Sequence, residues 1–262
     1  INYNPELYEV GASYTNHTIE DASFDPGPAG AGSWDFTTFG GGDTTVFTSI
    51  AYDAGIPHIG DCAETPNYIL YYADATDTST TEGWGFARVN SSHHDNLGLY
   101  GEMHVTTSGT DYELYYFHDT YTHATSFPVC YGDEWVEYSE GEGYMAMGSI
   151  GLDFEYQDSL YNYVDGYGTV HLPMGSFDAL RIKRFHWRHS HSDHLILGFD
   201  KTERNYAYVW MVEELGTAVS FPGPVDSTGG IPDSNYTTGN LSFQVENTAL
   251  GISESQLPRE PV

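Results

Sequence analysis

The run "RFHWRHSHSDHL", residues 184–195, carries four of the chain's 12 histidines. Histidine is the commonest metal ligand, and strand residues two apart share a face. Read as a strand, this stretch puts His189 and His191 on one side. Asp193 or His194 can then supply a third ligand to a transition metal. A catalytic zinc site of the HExxH type needs two histidines one helical turn apart, and nothing here is helical. The competing reading is the solvated tip of a hairpin, with "HLILGF" returning as an apolar strand. Arg181, Lys183, Arg184 and Arg188 crowd the same segment of a chain with only 8 basic residues. Such a patch on an acidic molecule suits contact with an acidic face of a neighbouring copy.

Other chemistry is thinner. "NSSHHDN" (90–96) sets His93 and His94 beside Asp95, but adjacent strand residues point to opposite faces, so a polar turn is expected. Paired acids such as Asp133/Glu134 and Glu213/Glu214 are what a glycosidase would need, yet 38 acidic residues produce such pairs by chance. "DATDTSTTEG" (74–83) is acidic and turn-rich enough to hold Ca²⁺ without matching an EF-hand loop. No nucleophile elbow, P-loop or dinucleotide-binding glycine pattern occurs.

The elements that must position these residues are strands. Aromatics make up 15% of 262 residues, with 22 Tyr and 29 Gly, and no 3.6-residue pattern persists. Between 67 and 121, strand-length runs such as "NYILYYADA" and "DYELYYFHDT" alternate with turn formers, which spells a meander. "TSGTDYELYY" gives a hairpin signal centred on Gly109. A second block runs from "FPVCYGDEWVEYS" to "LSFQVEN". Many short strands without helices predict an all-β fold, an antiparallel β-sandwich or jelly-roll, laid out as two packed sandwiches. The boundaries expected are 1–128, 129–250 and a tail at 251–262, with one large sandwich as the alternative. Tyr71/Tyr72, Tyr115/Tyr116 and Tyr161/Tyr163 put rings on both sheet faces, a pattern suited to stacking on sugars or on protein partners.

A formal charge of −30 repels nucleic acid and anionic lipid, which excludes both as partners. It favours a saline or cation-rich medium, with a Ca²⁺-loaded surface as the sharper form of that reading and simple solubility as the plainer one. No stretch is apolar for the ~18–20 residues of a membrane helix, so membrane insertion is not expected. The chain opens on Ile1, which suggests removal of an N-terminal signal and a place outside the cell. In an oxidising compartment, Cys62 and Cys130 could form a disulfide contributing ~4 kcal/mol, and two separate thiols are the alternative. Asn16, Asn90, Asn235 and Asn240 begin N-glycosylation triplets.

Four motifs occur in a telling order: "GPAGAGSWDFTTF" (27–39), "FPVCYGDEWVEY" (127–138), "GYGTVHLPMGSFDALRIKR" (166–184) and "YAYVWMVEELGTAVSF" (206–221). Together they resemble the exported β proteins of the Bacteroidota that carry a type IX secretion sorting signal. The resemblance implies export to the cell surface and no enzymatic activity. It also implies a C-terminal sorting domain, which this chain, ending at Val262, does not include. O-glycosylation at Asp-Ser/Thr-apolar triplets follows from the same resemblance: Ser159 in Asp158-Ser159-Leu160 fits, and Thr44 and Ser227 fit more loosely. On the residues themselves, Trp34, Phe36 and Phe39 should anchor an early strand, and Gly166 and Gly168 should ease a turn into the strand from Thr169.

The expected function is therefore binding without catalysis, by a secreted subunit of a surface layer or filament or by an adhesin. Its partners would be copies of itself, other surface proteins or glycans, and it would require no cofactor beyond possible use of Ca²⁺. The alternative is a carbohydrate-binding module or a glycoside hydrolase.

Overall fold

A computed structural model describes residues 1–195, 197–228 and 233–248. The tail expected at 251–262 lies outside the described residues. The strands are β1 (Ser13–Ser23), β2 (Gly30–Asp35), β3 (Asp43–Ile50), β4 (Tyr68–Ala75), β5 (Ser79–Val89), β6 (His93–Val105) and β7 (Thr110–Tyr121). They continue with β8 (Thr125–Ser126), β9 (Glu134–Met147), β10 (Ile150–Leu172), β11 (Gly175–Ser192), β12 (Phe199–Val212), β13 (Gly216–Pro222) and β14 (Thr238–Asn247).

The strands close on themselves. In the ring β1-β3-β4-β5-β6-β7-β9-β10-β11-β12-β13-β14, the last strand pairs back to the first, giving a 12-strand antiparallel barrel. This corrects the expected sandwich or jelly-roll. Alternation tells that a strand has two faces, but not whether the first and last strands meet, and here Tyr14 pairs with Asn247 to seal the wall. The boundary expected at 128/129 falls between β7 and β9, which pair from Tyr112↔Met147 to Tyr121↔Ser139.

Within that plan much of the meander is as its turn residues dictate. Gly109 takes φ +60° in the β6–β7 turn, and β4 to β7 follow one another as neighbours. The histidine-rich segment lies on β11, but "HLILGF" does not return as a strand. Residues 193–195, 197 and 198 lie outside the strands, Leu195 is fully exposed, and β12 starts at Phe199. Gly166 and Gly168 are likewise inside β10 rather than in a turn. A Cβ on Gly168 would stand 1.8 Å from the carbonyl oxygen of Gly32, because β2 runs parallel to β10 against this spot.

The two largest apolar cores lie on the outside of the wall. Trp210, Val219, Phe221 and Phe243 project outward and are covered by Phe24, Trp34 and Phe36 from the segment that enters and leaves β2. On the opposite side Ile69, Phe86, Tyr100 and Phe117 are covered by Ile56 and Ile59 of the β3–β4 connection. Arg181 fastens the first cover. A bulge in β10 between Val164 and Gly166 leaves Asp165 against Arg181, whose Nε and Nη2 donate to it at 2.8 and 3.0 Å. The guanidinium also donates to the carbonyls of Pro26, Gly27 and Pro28.

Candidate functional site: the barrel lumen

Because side chains alternate across the wall, the set opposite to Trp210 and Phe86 points into the ring. Its members from nine strands of the ring converge on one chamber of about 360 Å³ at the lower end, among them Tyr14, Tyr68, Glu137, Arg184 and Gln244. The chain's own beginning closes that end. The Ile1 amine donates to the Val129 carbonyl at 2.9 Å, Val129 N–H returns a bond to Ile1, and a short 3₁₀ turn at Pro5–Tyr8 packs Tyr8 edge-on against Tyr68. Below, Val129, Val164, Ile182 and Val209 form an apolar seal with Ile1 and Phe127.

Charged side chains cross the middle of the lumen. Asp158 on β10 accepts from His186 Nε2 at 2.5 Å and from Arg188 Nε at 2.9 Å, both on β11. The Arg188 guanidinium lies 5.4 and 5.6 Å from the rings of Tyr116 and Tyr156. Burial alone would raise the Asp158 carboxyl, yet the hydrogen bonds and charges of His186 and Arg188 outweigh it and hold the carboxyl below its ordinary value. A second group joins Glu137, Asn162 and Arg184: Asn162 donates to Glu137 at 2.8 Å and accepts from Arg184 Nε at 2.7 Å. Here burial wins, and Glu137 sits above the ordinary carboxylate range despite Arg184. His118 completes the belt. Its Nδ1 donates to the Tyr156 hydroxyl at 2.7 Å, which passes its own proton to the Phe117 carbonyl, and burial pushes the imidazole down to about 4.

Above the belt the lumen opens. Leu99, Met103, Leu114, Met145, Met147 and Leu152, all of the inward set, line a mouth of about 570 Å³. Leu114 is 40% exposed and Met147 52%. Gly83 and Gly143 belong to the same inward set, and the ring of Tyr72 lies over one and that of Phe154 over the other. Outside the rim, Glu82, Glu102 and Glu113 stand directly across from one another on β5, β6 and β7. Like charges placed so repel, and they surround the apolar mouth with negative potential.

The structure distributes the residues singled out from the sequence differently from expectation. Arg181, Lys183, Arg184 and Arg188 are no exposed patch. Arg181 is 0% exposed, Arg184 and Arg188 are paired inside the lumen, and Lys183 lies over the rings of Tyr206 and Tyr208. Alternation along β11 sends neighbouring basic residues to opposite sides of a closed wall. His191 bonds Asp193 at 2.9 Å and lies 3.7 Å from Asp200. His189 meets Thr202 and Asp200, and His194 accepts from Leu197 N–H. These four do not converge on one point; among the described residues, the group within mutual ligating reach is His93, Asp95 and His123. Cys62 and Cys130 are free thiols rather than a disulfide. Of the glycosylation candidates, Thr44, Ser227, Asn235 and Asn240 are exposed, Ser159 and Asn90 are half-buried, and Asn16 faces inward against Ser242.

His118, Glu137, Tyr156 and the mouth methionines were not singled out from the sequence, and Tyr116 was read there only as one of several rings for stacking on sugars or partners. The alternation of Met145 with Met147 was their one visible signal, and it has meaning only once the ring is known to close.

No family model matches the chain, and no curated protein matches it in sequence. Two solved structures are similar. One is a Bacteroides fragilis protein described as exported and of YmcC-like fold, 11% identical over 94% of this chain and 98% of that one, with a TM-score of 0.39. The other is a Parabacteroides distasonis protein described as a lipoprotein, 9% identical over 92% and 96%, with a TM-score of 0.37. Likeness at this level assigns no function.

Proposed function

We propose that this chain is an exported, non-catalytic binding protein whose barrel lumen takes up one elongated apolar molecule, uncharged or cationic, through the methionine-lined mouth. The observation that carries this reading is the contrast between a lumen sealed at its lower end by residues 1–8 and a wide apolar opening at the other. Pockets of a few hundred Å³ that combine apolar walls with a few convergent polar groups are the usual form of small-molecule sites. Methionine suits a wall that must fit ligands of varied shape. The hydroxyl-bearing rings of Tyr116 and Tyr156 and the Asp158–Arg188 pair lie on the same inward face deeper along the strands, where a polar end group would meet them. A net charge of −30 and the glutamate row at the rim disfavour an anionic ligand.

The charged exterior also supports a barrel surrounded by water. Glu140, Glu142, Asp153 and Glu155 occupy outward positions on β9 and β10, where a lipid-facing wall would pay several kcal/mol. The four spaced motifs support export, with the type IX route as the narrower form of that reading. The self-assembly role loses its motive, since the basic residues that suggested it are split between the two sides of the wall and engaged by their own chain.

Nile red, neutral and fluorescent in apolar surroundings, tests the proposal. One equivalent should bind per chain, and Leu114→Asp with Met145→Asp should abolish the signal while the melting temperature stays near that of the unaltered chain. Undiminished binding in that double variant would refute it.

A further inference from the structure

A second site lies on the outer wall, away from the lumen, and is independent of the reading above. Asp95 on β6 is completely buried, and three groups reach it there. His123, from the segment between β7 and β8, places Nδ1 2.6 Å from Oδ1. His93 Nε2 lies 3.2 Å from Oδ2, and Arg88 on β5 donates to Oδ2 from Nε and Nη2 at 3.3 and 3.1 Å. The two imidazoles stack with centroids 4.0 Å apart.

The hydrogen bonds around His93 fix which of its nitrogens carries the proton. Asn90 Oδ1 accepts from three donors, Ser92 N–H, Ser92 Oγ and His93 N–H, so its other side-chain atom is the amide nitrogen. That nitrogen stands 2.8 Å from His93 Nε2 and donates to it. Ser92 Oγ has given its proton to Asn90 and therefore accepts from His93 Nδ1 at 2.9 Å. The ring is held as the Nδ1–H tautomer, with the Nε2 lone pair beside a carboxylate oxygen. Two acceptors thus face each other at 3.2 Å with no proton to share. The far nitrogen, Nδ1, is anchored on Ser92 as in metal-ligating histidines, and the near one, Nε2, is an acceptor now held by the Asn90 amide, which an arriving ion would displace. Charge agrees. Arg88 also pairs with Glu64, so two carboxylates surround one guanidinium and a negative charge is left over.

We infer that His93, Asp95 and His123 form a binding site for a divalent transition-metal ion of the zinc, nickel or copper kind. One imidazole pair and one carboxylate, with ligand atoms all within 4.8 Å of one another, match the donor preference of these ions and not that of Ca²⁺ or Mg²⁺. The metal would tie the segment carrying His123 to the end of the β5–β6 hairpin. Its remaining positions open toward solvent at His123, whose side chain is 52% exposed.

The test uses the full chain, stripped with chelator and titrated calorimetrically with Zn²⁺. The expected result is one ion per chain, binding at least about tenfold weaker in His123→Ala, and unchanged in His189→Ala/His191→Ala. Ring ¹H–¹⁵N spectra supply a readout independent of folding losses in variants, since Zn²⁺ should shift the His93 and His123 signals of the unaltered chain first. Absence of stoichiometric binding, equal binding by His123→Ala, or loss of binding in the His189/His191 double variant would each overturn the assignment.

Discussion

The two faces of the barrel wall are built on opposite principles. Outside, aromatic side chains are packed dry under two covering segments: Trp210 meets Phe24, Trp34 and Phe36 edge to face, and Phe86 lies under Ile59. Inside, the ring holds buried acids, two arginines, histidines and open volume. In a barrel of 12 strands the interior is too wide for side chains to fill completely. The outer covers therefore supply apolar burial that a narrower barrel would obtain within, and the lumen is left free for polar groups and for a guest. Stability should consequently respond most to the outer face, and binding to the inner one.

The most damaging change should be at Trp210, which is fully buried among rings. Trp210→Ala should cost about 3–5 kcal/mol in denaturant unfolding, as large-to-small changes in packed cores do. Arg181→Met comes close behind. It strands Asp165 and leaves three carbonyls of residues 26–28 without their donor, and losing one partner of a buried pair costs about 3–5 kcal/mol. The double change Arg181→Met/Asp165→Leu should recover part of that loss, which a double-mutant cycle would measure.

Acid should act through the lumen. Burial lowers His118 and His94 from 6.5 to about 4 each. Between those values the unfolded chain binds protons that the folded chain does not. Stability is thus fully present above about pH 6.5 and falls as pH drops toward 4, by up to about 3 kcal/mol per histidine. His118→Gln should flatten this slope in unfolding curves recorded from pH 7 to 4.5, at a neutral-pH cost of about 1 kcal/mol for the weakened bond to Tyr156. The smallest stability effect belongs to the mouth. Met147→Ala, half exposed already, should shift unfolding by less than about 1 kcal/mol while weakening capture of an apolar probe. If instead Met147→Ala unfolded the chain as readily as Trp210→Ala, the division of labour between the faces would be wrong.

Legibility in the sequence followed physical range. Local rules worked: β-branched and aromatic runs, turn residues such as Gly109, and the alternation along 178–189 all hold in the structure. Ring closure depends on β14 meeting β1, more than 200 residues apart, and no local pattern encodes it. The assignment of faces failed with it. Arg184 and Arg188 look like surface charges until the wall closes around them, and Glu137 becomes a buried acid because it faces the lumen beside Asn162 and Arg184. The metal-ligating trio illustrates the same limit. His93 and Asp95 were visible as a pair two residues apart, whereas His123 arrives from another strand connection 28 residues on.

A crystal structure of the chain soaked with 12-bromododecanol would test the central claim most directly, because the bromine's anomalous signal locates an uncharged alkyl chain. The account predicts one bromine site inside the ring, among Leu99, Leu114, Met145 and Leu152. Bromine found only on the outer wall, or a lumen empty at saturating ligand, would contradict it.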